Sequence, residues 1–362
     1  MTATHARQWA SYLGPRKIGA IYVLVLLIVM FSIMSPHEFA NIGTAKLVLN
    51  QYAITGLVGL ALLLPLSSGL YDLSVGSVAG LSGITSAWLL AHVSANPALA
   101  VAAGIGIGLV AGALNALIVL GLGIDSFIGT LATGSIITAI TTAVSGDNTI
   151  AKNVNGAFQK EVALTNLQGV TLPVFIALAA TIALWVVLEK TGFGRRAYAI
   201  GFDQEVARLG GVRVMGVRCV GLMASAGIAG LAGILATAQI GAGSPATGPN
   251  YLLPAFAAAF LGATQFRNGR FNSWGTVVAV LLLGTGNVGL LVAGGPSWSP
   301  DIFDGAILIA AVGLTSARGI GPLRIRWFRQ KEALTVTESG ETPVEPQSQQ
   351  AAATAMSRSG HG

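Results

Sequence analysis

The sequence predicts an all-α protein, a polytopic transmembrane helical bundle of about ten spans. Three observations predict it. Of 362 residues, 53% are hydrophobic and only 9% are charged, whereas a soluble domain carries about a quarter of its residues as Asp, Glu, Lys and Arg. Too few charges remain to cover a water-facing surface. Apolar runs of about 18 residues or more recur along nearly the whole chain, each long enough to cross a hydrocarbon core about 30 Å thick as a helix. The basic residues, finally, gather in a few stretches between those runs, which is the distribution that fixes membrane topology. This accounts for the net charge of +6 without a nucleic-acid partner.

The apolar windows fall at about 18–35, 47–69, 73–93, 97–120, 126–145, 170–188, 217–240, 252–264, 274–293 and 301–316. The first follows Arg7, Arg16 and Lys17, as the core of a signal peptide would. No small-residue cleavage pattern comes after it, so it is read as a retained first helix. Positive charge marks the N-terminal arm (1–17), the stretch 189–218, Arg267 with Arg270, and 318–331. Ten spans put all four on the cytoplasmic side, together with both termini; nine or eleven would place one cluster outside. The chain thus divides into the arm, a transmembrane domain over 18–317, and a cytoplasmic region over 318–362. Residues 332–362 hold almost no large apolar side chains and are expected to be disordered. By the same parity the polar stretch 145–169 is the longest external loop.

Small residues repeat every four positions at Gly104, Gly108 and Gly112, and again at Gly221, Ser225, Ala229 and Gly233. Such stripes let helix backbones approach closely. Two places interrupt the helical pattern: the run from Pro65 to Ser77, and the short eighth span, which follows Gly241 to Asn250 and contains Pro254. One interruption in each half suits two internally related halves with discontinuous helices. An ordinary tight turn after the second span explains the first interruption equally well.

Chemistry-bearing motifs are absent. There is no G-x-x-x-x-G-K-[ST] phosphate loop, no H-E-x-x-H, no C-x-x-C and no G-x-S-x-G. Cys219 is the single cysteine and there are four histidines, so no cofactor or metal cluster is expected. Asp72, Asp125, Asp301 and Asp304 all fall near span ends, which argues against an ion-coupled carrier with acids buried mid-span.

The run Gly69 to Gly83, GLYDLSVGSVAGLSG, resembles the D-L-S-V-G-S signature of the membrane permeases of bacterial ABC importers of the ribose, xylose and autoinducer-2 type. The run Leu114 to Thr133, LNALIVLGLGIDSFIGTLAT, is similar to a second segment of that family. Gly192 to Leu235 resembles its cytoplasmic loop and the helix after it, and Gly284 to Val312 its last two spans. These segments occur in family order over most of 47–316. The chain departs from the pattern at Leu252, Leu253 and Pro254, where relatives show an acidic pair, and in the loop GATQFRNGRFNS.

The resemblance implies a multi-pass permease subunit of the bacterial inner membrane, not an enzyme. It would pair with a second copy or a paralogue, with two cytoplasmic ATPase subunits, and with an external solute-binding protein. It places the ATPase-coupling segment at Arg196, Glu205, Ala207, Arg208, Gly210 and Gly211, where a solvated basic loop is the plainer reading. For the solute, a monosaccharide or similar polyhydroxylated molecule, the candidates are the polar side chains at membrane depth: Asn50, Gln51, Asp72, Ser74, Asn115, Thr130, Thr133 and Asn287. Amides and hydroxyls both donate and accept, and Phe127 offers a ring for a sugar face. For each of them an interhelical hydrogen bond is an equal alternative. A nucleoside or branched-chain amino acid as solute, or an ion-coupled transporter, are the remaining alternatives.

Overall fold

The computed structural model describes residues 15–266 and 269–317. The N-terminal arm ahead of Pro15, Arg267, and the basic stretch and tail from 318 onward lie outside the described residues. Ten longer helices coincide with the ten apolar windows. They are α1 (Pro15–Met34), α2 (Ile42–Ser67), α3 (Val75–His92), α4 (Pro97–Ala116), α5 (Ser126–Ser145), α6 (Leu172–Trp185), α9 (Val214–Ile240), α10 (Leu252–Ala263), α11 (Ser273–Val292) and α12 (Ser299–Ala317). Two short helices, α7 (Gly192–Phe202) and α8 (Gln204–Leu209), occupy the charged stretch between α6 and α9. Side-chain caps start several of these helices: Asn96 accepts from Ala98 N at 2.9 Å, Asp125 from Phe127 N at 3.0 Å and Asn272 from Gly275 N at 2.7 Å.

Among the described residues, six helices are long and apolar enough to cross a membrane, over Ile42–Ser67, Pro97–Gly121, Ser126–Ser145, Leu172–Lys190, Val214–Ile240 and Ser273–Val292. Three of the remaining four fall short for separable reasons. In α1 the apolar part begins at Ile18, where the helix kinks. The first half of α3 is rich in Gly and Ser. Helix α10 has 12 residues, about 18 Å of rise against a core of about 30 Å.

Helix α2 is buried on all sides from Ile54 to Leu64, which marks the middle of the bundle. Beside it runs α9, packed on α2, α3 and α4. Both small-residue stripes lie at these crossings. A Cβ on Gly108 would stand 2.9 Å from the Ala226 carbonyl oxygen, and one on Gly112 would stand 2.7 Å from the Ala226 Cβ. Gly233 of the second stripe abuts the Ala79 carbonyl of α3. Small residues here set the helix separation.

The stretch 145–169 is more ordered than its polarity suggests. Two π-helical turns, Val154–Phe158 and Lys160–Leu164, bury Val154, Phe158 and Ala163 against Ala87, Leu90 and Ile234. The stretch ends in a two-stranded antiparallel hairpin, β1 (Asn166–Leu167) and β2 (Val170–Thr171). Apolar residues spaced through a polar sequence thus pull the segment back onto α3 and α9.

Candidate functional site

Between α2 and α3 the chain leaves the helix at Ser68 and re-enters it at Val75, yet this break is buried. Ser68 is 1% exposed, and Asp72 and Ser74 are 0% exposed. Non-helical backbone inside an apolar bundle needs partners for its polar groups. Side chains from two neighbouring helices supply several of them. Arg218 of α9 donates Nε and Nη2 to the Ser68 carbonyl at 3.2 and 3.1 Å. The Tyr71 amide donates to Ser126 Oγ at 3.1 Å, and the Leu73 amide to Thr130 Oγ1 at 2.9 Å, both on α5.

From there a chain of hydrogen bonds runs through the bundle. Thr133 Oγ1 donates to Asn115 Oδ1 at 2.6 Å, Asn115 Nδ2 to Ser74 Oγ at 2.6 Å, and Ser74 Oγ to Asp72 Oδ1 at 2.6 Å. The Ser74 amide also donates to Asp72 Oδ1, at 3.1 Å. Asp72 Oδ2 faces the Ser225 hydroxyl of α9 without closing a full hydrogen bond. Five of the sequence candidates, Asp72, Ser74, Asn115, Thr130 and Thr133, therefore meet in one cluster. All but Thr133 are 0% exposed, so in this conformation the bundle is closed over them.

The remaining candidates lie elsewhere. Asn50 holds the hairpin: its Nδ2 donates to Gly169 O at 3.0 Å, and its Oδ1 accepts from Thr171 N and Oγ1 at 3.0 and 3.1 Å. Gln51 next to it is exposed. Phe127 is half exposed, edge-on to Tyr71 with ring centroids 6.5 Å apart. Asn287 of α11 donates to Asp304 Oδ1 of α12 at 2.8 Å, and both are buried. Asp304 lies in the second turn of α12, so an acid that its sequence position places near a span end is an interior group.

Ser126, Arg218 and Ser225 belong to the cluster and were not singled out by sequence. Ser126 follows the Asp125 cap and Ser225 sits in a small-residue stripe, where each has a sufficient packing role. Arg218 is the last basic residue of the 189–218 stretch, and the topology rule absorbs it.

The second interruption meets the first. Residues 241–250 pass over the start of α3, where a Cβ on Gly76 would stand 3.0 Å from the Gly248 carbonyl oxygen and one on Gly80 would stand 3.4 Å from Gly248 Cα. The two irregular segments are thus in backbone contact.

At the α7–α8 corner, Asp203 caps α8 by accepting from Glu205 N and Val206 N at 2.9 and 3.0 Å. Glu205 pairs with Arg208 at 2.9 Å on the surface. Ala207 is buried with Ala197, Ile200 and Val217, which ties the corner to the foot of α9. Arg196, Glu205, Arg208, Gly210 and Gly211 are exposed. So are three large apolar side chains, Phe202 at 85%, Val206 at 64% and Leu209 at 82%. Together they leave an exposed apolar patch on the corner.

Residues 45–312 match the family described as branched-chain amino acid transport system/permease component. The chain belongs to that family. The permease is 32% identical over 298 residues to the ribose import permease protein RbsC of Bacillus subtilis, covering 82% of this chain and 92% of that protein. It is 30% identical over 299 residues to the D-allose transport system permease protein AlsC of Escherichia coli, covering 82% and 91%. To the L-arabinose transport system permease protein AraH of Escherichia coli it is 29% identical over 306 residues, covering 84% and 90%. No solved structure matches the permease.

Proposed function

We propose that this permease is the membrane subunit of an ATP-driven importer that translocates a monosaccharide or a similar small polyhydroxylated solute. The observation that carries the reading is identity near 30% with permeases named for ribose, allose and arabinose, along more than four fifths of the chain. The cluster at the break supports it. Its groups are amides and hydroxyls that both donate and accept, which is the chemistry a sugar hydroxyl exchanges with. Its two charged members, Asp72 and Arg218, bond to neutral groups within it.

The family description names branched-chain amino acids, which supports a second reading. The relatives matched along more than four fifths of the chain are, however, named for sugars. The sugar reading therefore ranks first.

The partners in this reading are a second permease copy or paralogue, two ATPase subunits docked on the α7–α8 corner, and an external solute-binding protein. Both termini and the 189–218 stretch face the cytoplasm, and the transmembrane domain runs over 18–317. ATP then acts by population shift: closure of the ATPase pair favours one of two permease conformations. The test is reconstitution with the ATPase and binding protein, using D-ribose, D-allose, L-arabinose and L-leucine as probes. Vanadate-sensitive uptake of a sugar supports the proposal; leucine uptake without sugar uptake, or uptake driven by an ion gradient alone, refutes it. Substitution of Glu205 and Gly211 abolishes solute-stimulated ATP hydrolysis while leaving insertion intact.

A further inference from the structure

One side chain joins the docking corner to the buried break. Arg218 sits in the second turn of α9 and spends three donors on two different segments. Its Nη1 donates to Gln204 Oε1, the first residue of α8, at 2.7 Å, and its Nε and Nη2 grip the Ser68 carbonyl. Both acceptors are neutral, so the pairings hold position rather than cancel charge. Beside this link the corner is poorly packed. A cavity of about 680 Å³, lined by Gln204, Arg208, Arg213 and Arg218 on one wall and by Ile124 and Asp125 on another, separates it from the foot of α5. The other contact with the break is backbone on backbone, where Gly201 of α7 abuts Ser67 and Gly69.

We propose that Arg218 is a positioning residue that transmits movement of α8 to the α2–α3 break, and through Ser68 to the Asp72 cluster. This rests on the docking reading given above and adds the connection between that surface and the solute path. A guanidinium suits the task because its planar fork fixes two acceptors in one geometry. Lysine, a flexible point charge, cannot hold both. When α8 is displaced, the break either follows or loses the two donors that Arg218 gives to its first carbonyl. The inference predicts a defect in coupling, with ATPase binding retained.

The reporter is a cysteine at the buried cluster. In the Cys219→Ser background, Ser225→Cys replaces a hydroxyl that is 0% exposed, and its alkylation by a water-soluble maleimide is followed in the reconstituted complex with ATPase and binding protein. ATP with vanadate is expected to raise the rate when Arg218 is present. In Arg218→Gln the rise, scaled to the amount of ATPase bound, falls about tenfold, as expected for loss of hydrogen bonds from a charged donor. Arg218→Lys falls short of wild type. Gln204→Ala cuts the same link from its other end without touching the break, and it reads out the proposal even where Arg218→Gln fails to insert. An undiminished rise in Gln204→Ala or Arg218→Gln overturns the proposal alone. Absence of any rise with Arg218 and Gln204 intact overturns the docking reading beneath it.

Discussion

Asn115 of α4 and Ser74 at the end of the break are 41 positions apart and joined by a hydrogen bond of 2.6 Å, with both residues fully buried. Through this bond and the one from Thr133, α4 and α5 are fastened to a stretch of chain that lies between two helices.

Replacing Asn115 by Ala leaves Ser74 and Thr133 each short of a buried partner. The expected loss is about 1–3 kcal/mol of stability, read as a lower unfolding temperature in detergent. Asn115→Gln keeps the donors but misplaces them, and is expected to fall between the two. An unchanged unfolding temperature in Asn115→Ala means the cluster does not fasten the break.

Two glycines on one helix should respond in opposite ways. Gly112→Ala drives a methyl into the Ala226 contact and is expected to cost about 1–3 kcal/mol by overpacking. Gly106, with nothing within 4 Å of an added Cβ, gains helix propensity on substitution by Ala, up to about 1 kcal/mol. Thermal unfolding of the two variants side by side checks this, and equal effects would sink the close-packing account of the stripe.

The exposed apolar face of the α7–α8 corner is expected to bind the ATPase. Phe202→Ala with Leu209→Ala removes two large side chains, each worth about 1.5–3 kcal/mol when fully covered, so affinity should drop at least tenfold. Ile309→Ala on α12, where the side chain is 76% exposed, serves as the control and leaves co-elution unchanged. If both variants co-elute with the ATPase as wild type does, the surface serves something else.

Asn50 is expected to govern the hairpin rather than the helix that bears it. Asn50→Ala removes three hydrogen bonds to 169–171 and lowers the free energy of local opening there. Faster proteolysis or hydrogen exchange at 166–171, with α2 unaffected, is the outcome to look for. Unaltered exchange in the hairpin contradicts the clamp.

The helices were legible in the sequence because lipid imposes length and hydropathy on each crossing, and a run such as 126–145 carries both signals at once. The corner was legible for a different reason: Glu205, Arg208 and Gly211 stand in a stretch too polar to span. Tertiary placement was harder. Asn50, Asn115 and Asn287 look alike in sequence as lone amides in apolar surroundings, yet one faces a hairpin, one a helix break and one an aspartate. Hydropathy does not encode which neighbour an amide meets. Arg218 was hidden for the same reason, because a basic residue at a helix foot already has a topological explanation. The packing of Val154, Phe158 and Ala163 was obscured by the Asn, Lys and Gln residues between them.

The contact of Gly248 with Gly76 and Gly80 couples the movements of the two irregular segments. With no side chains to yield between them, neither irregular segment can shift far without pushing on the backbone of the other. Movement of either one alone would bring backbone against backbone at Gly248. A larger residue at Gly248 would therefore displace the start of α3 together with the 241–250 segment.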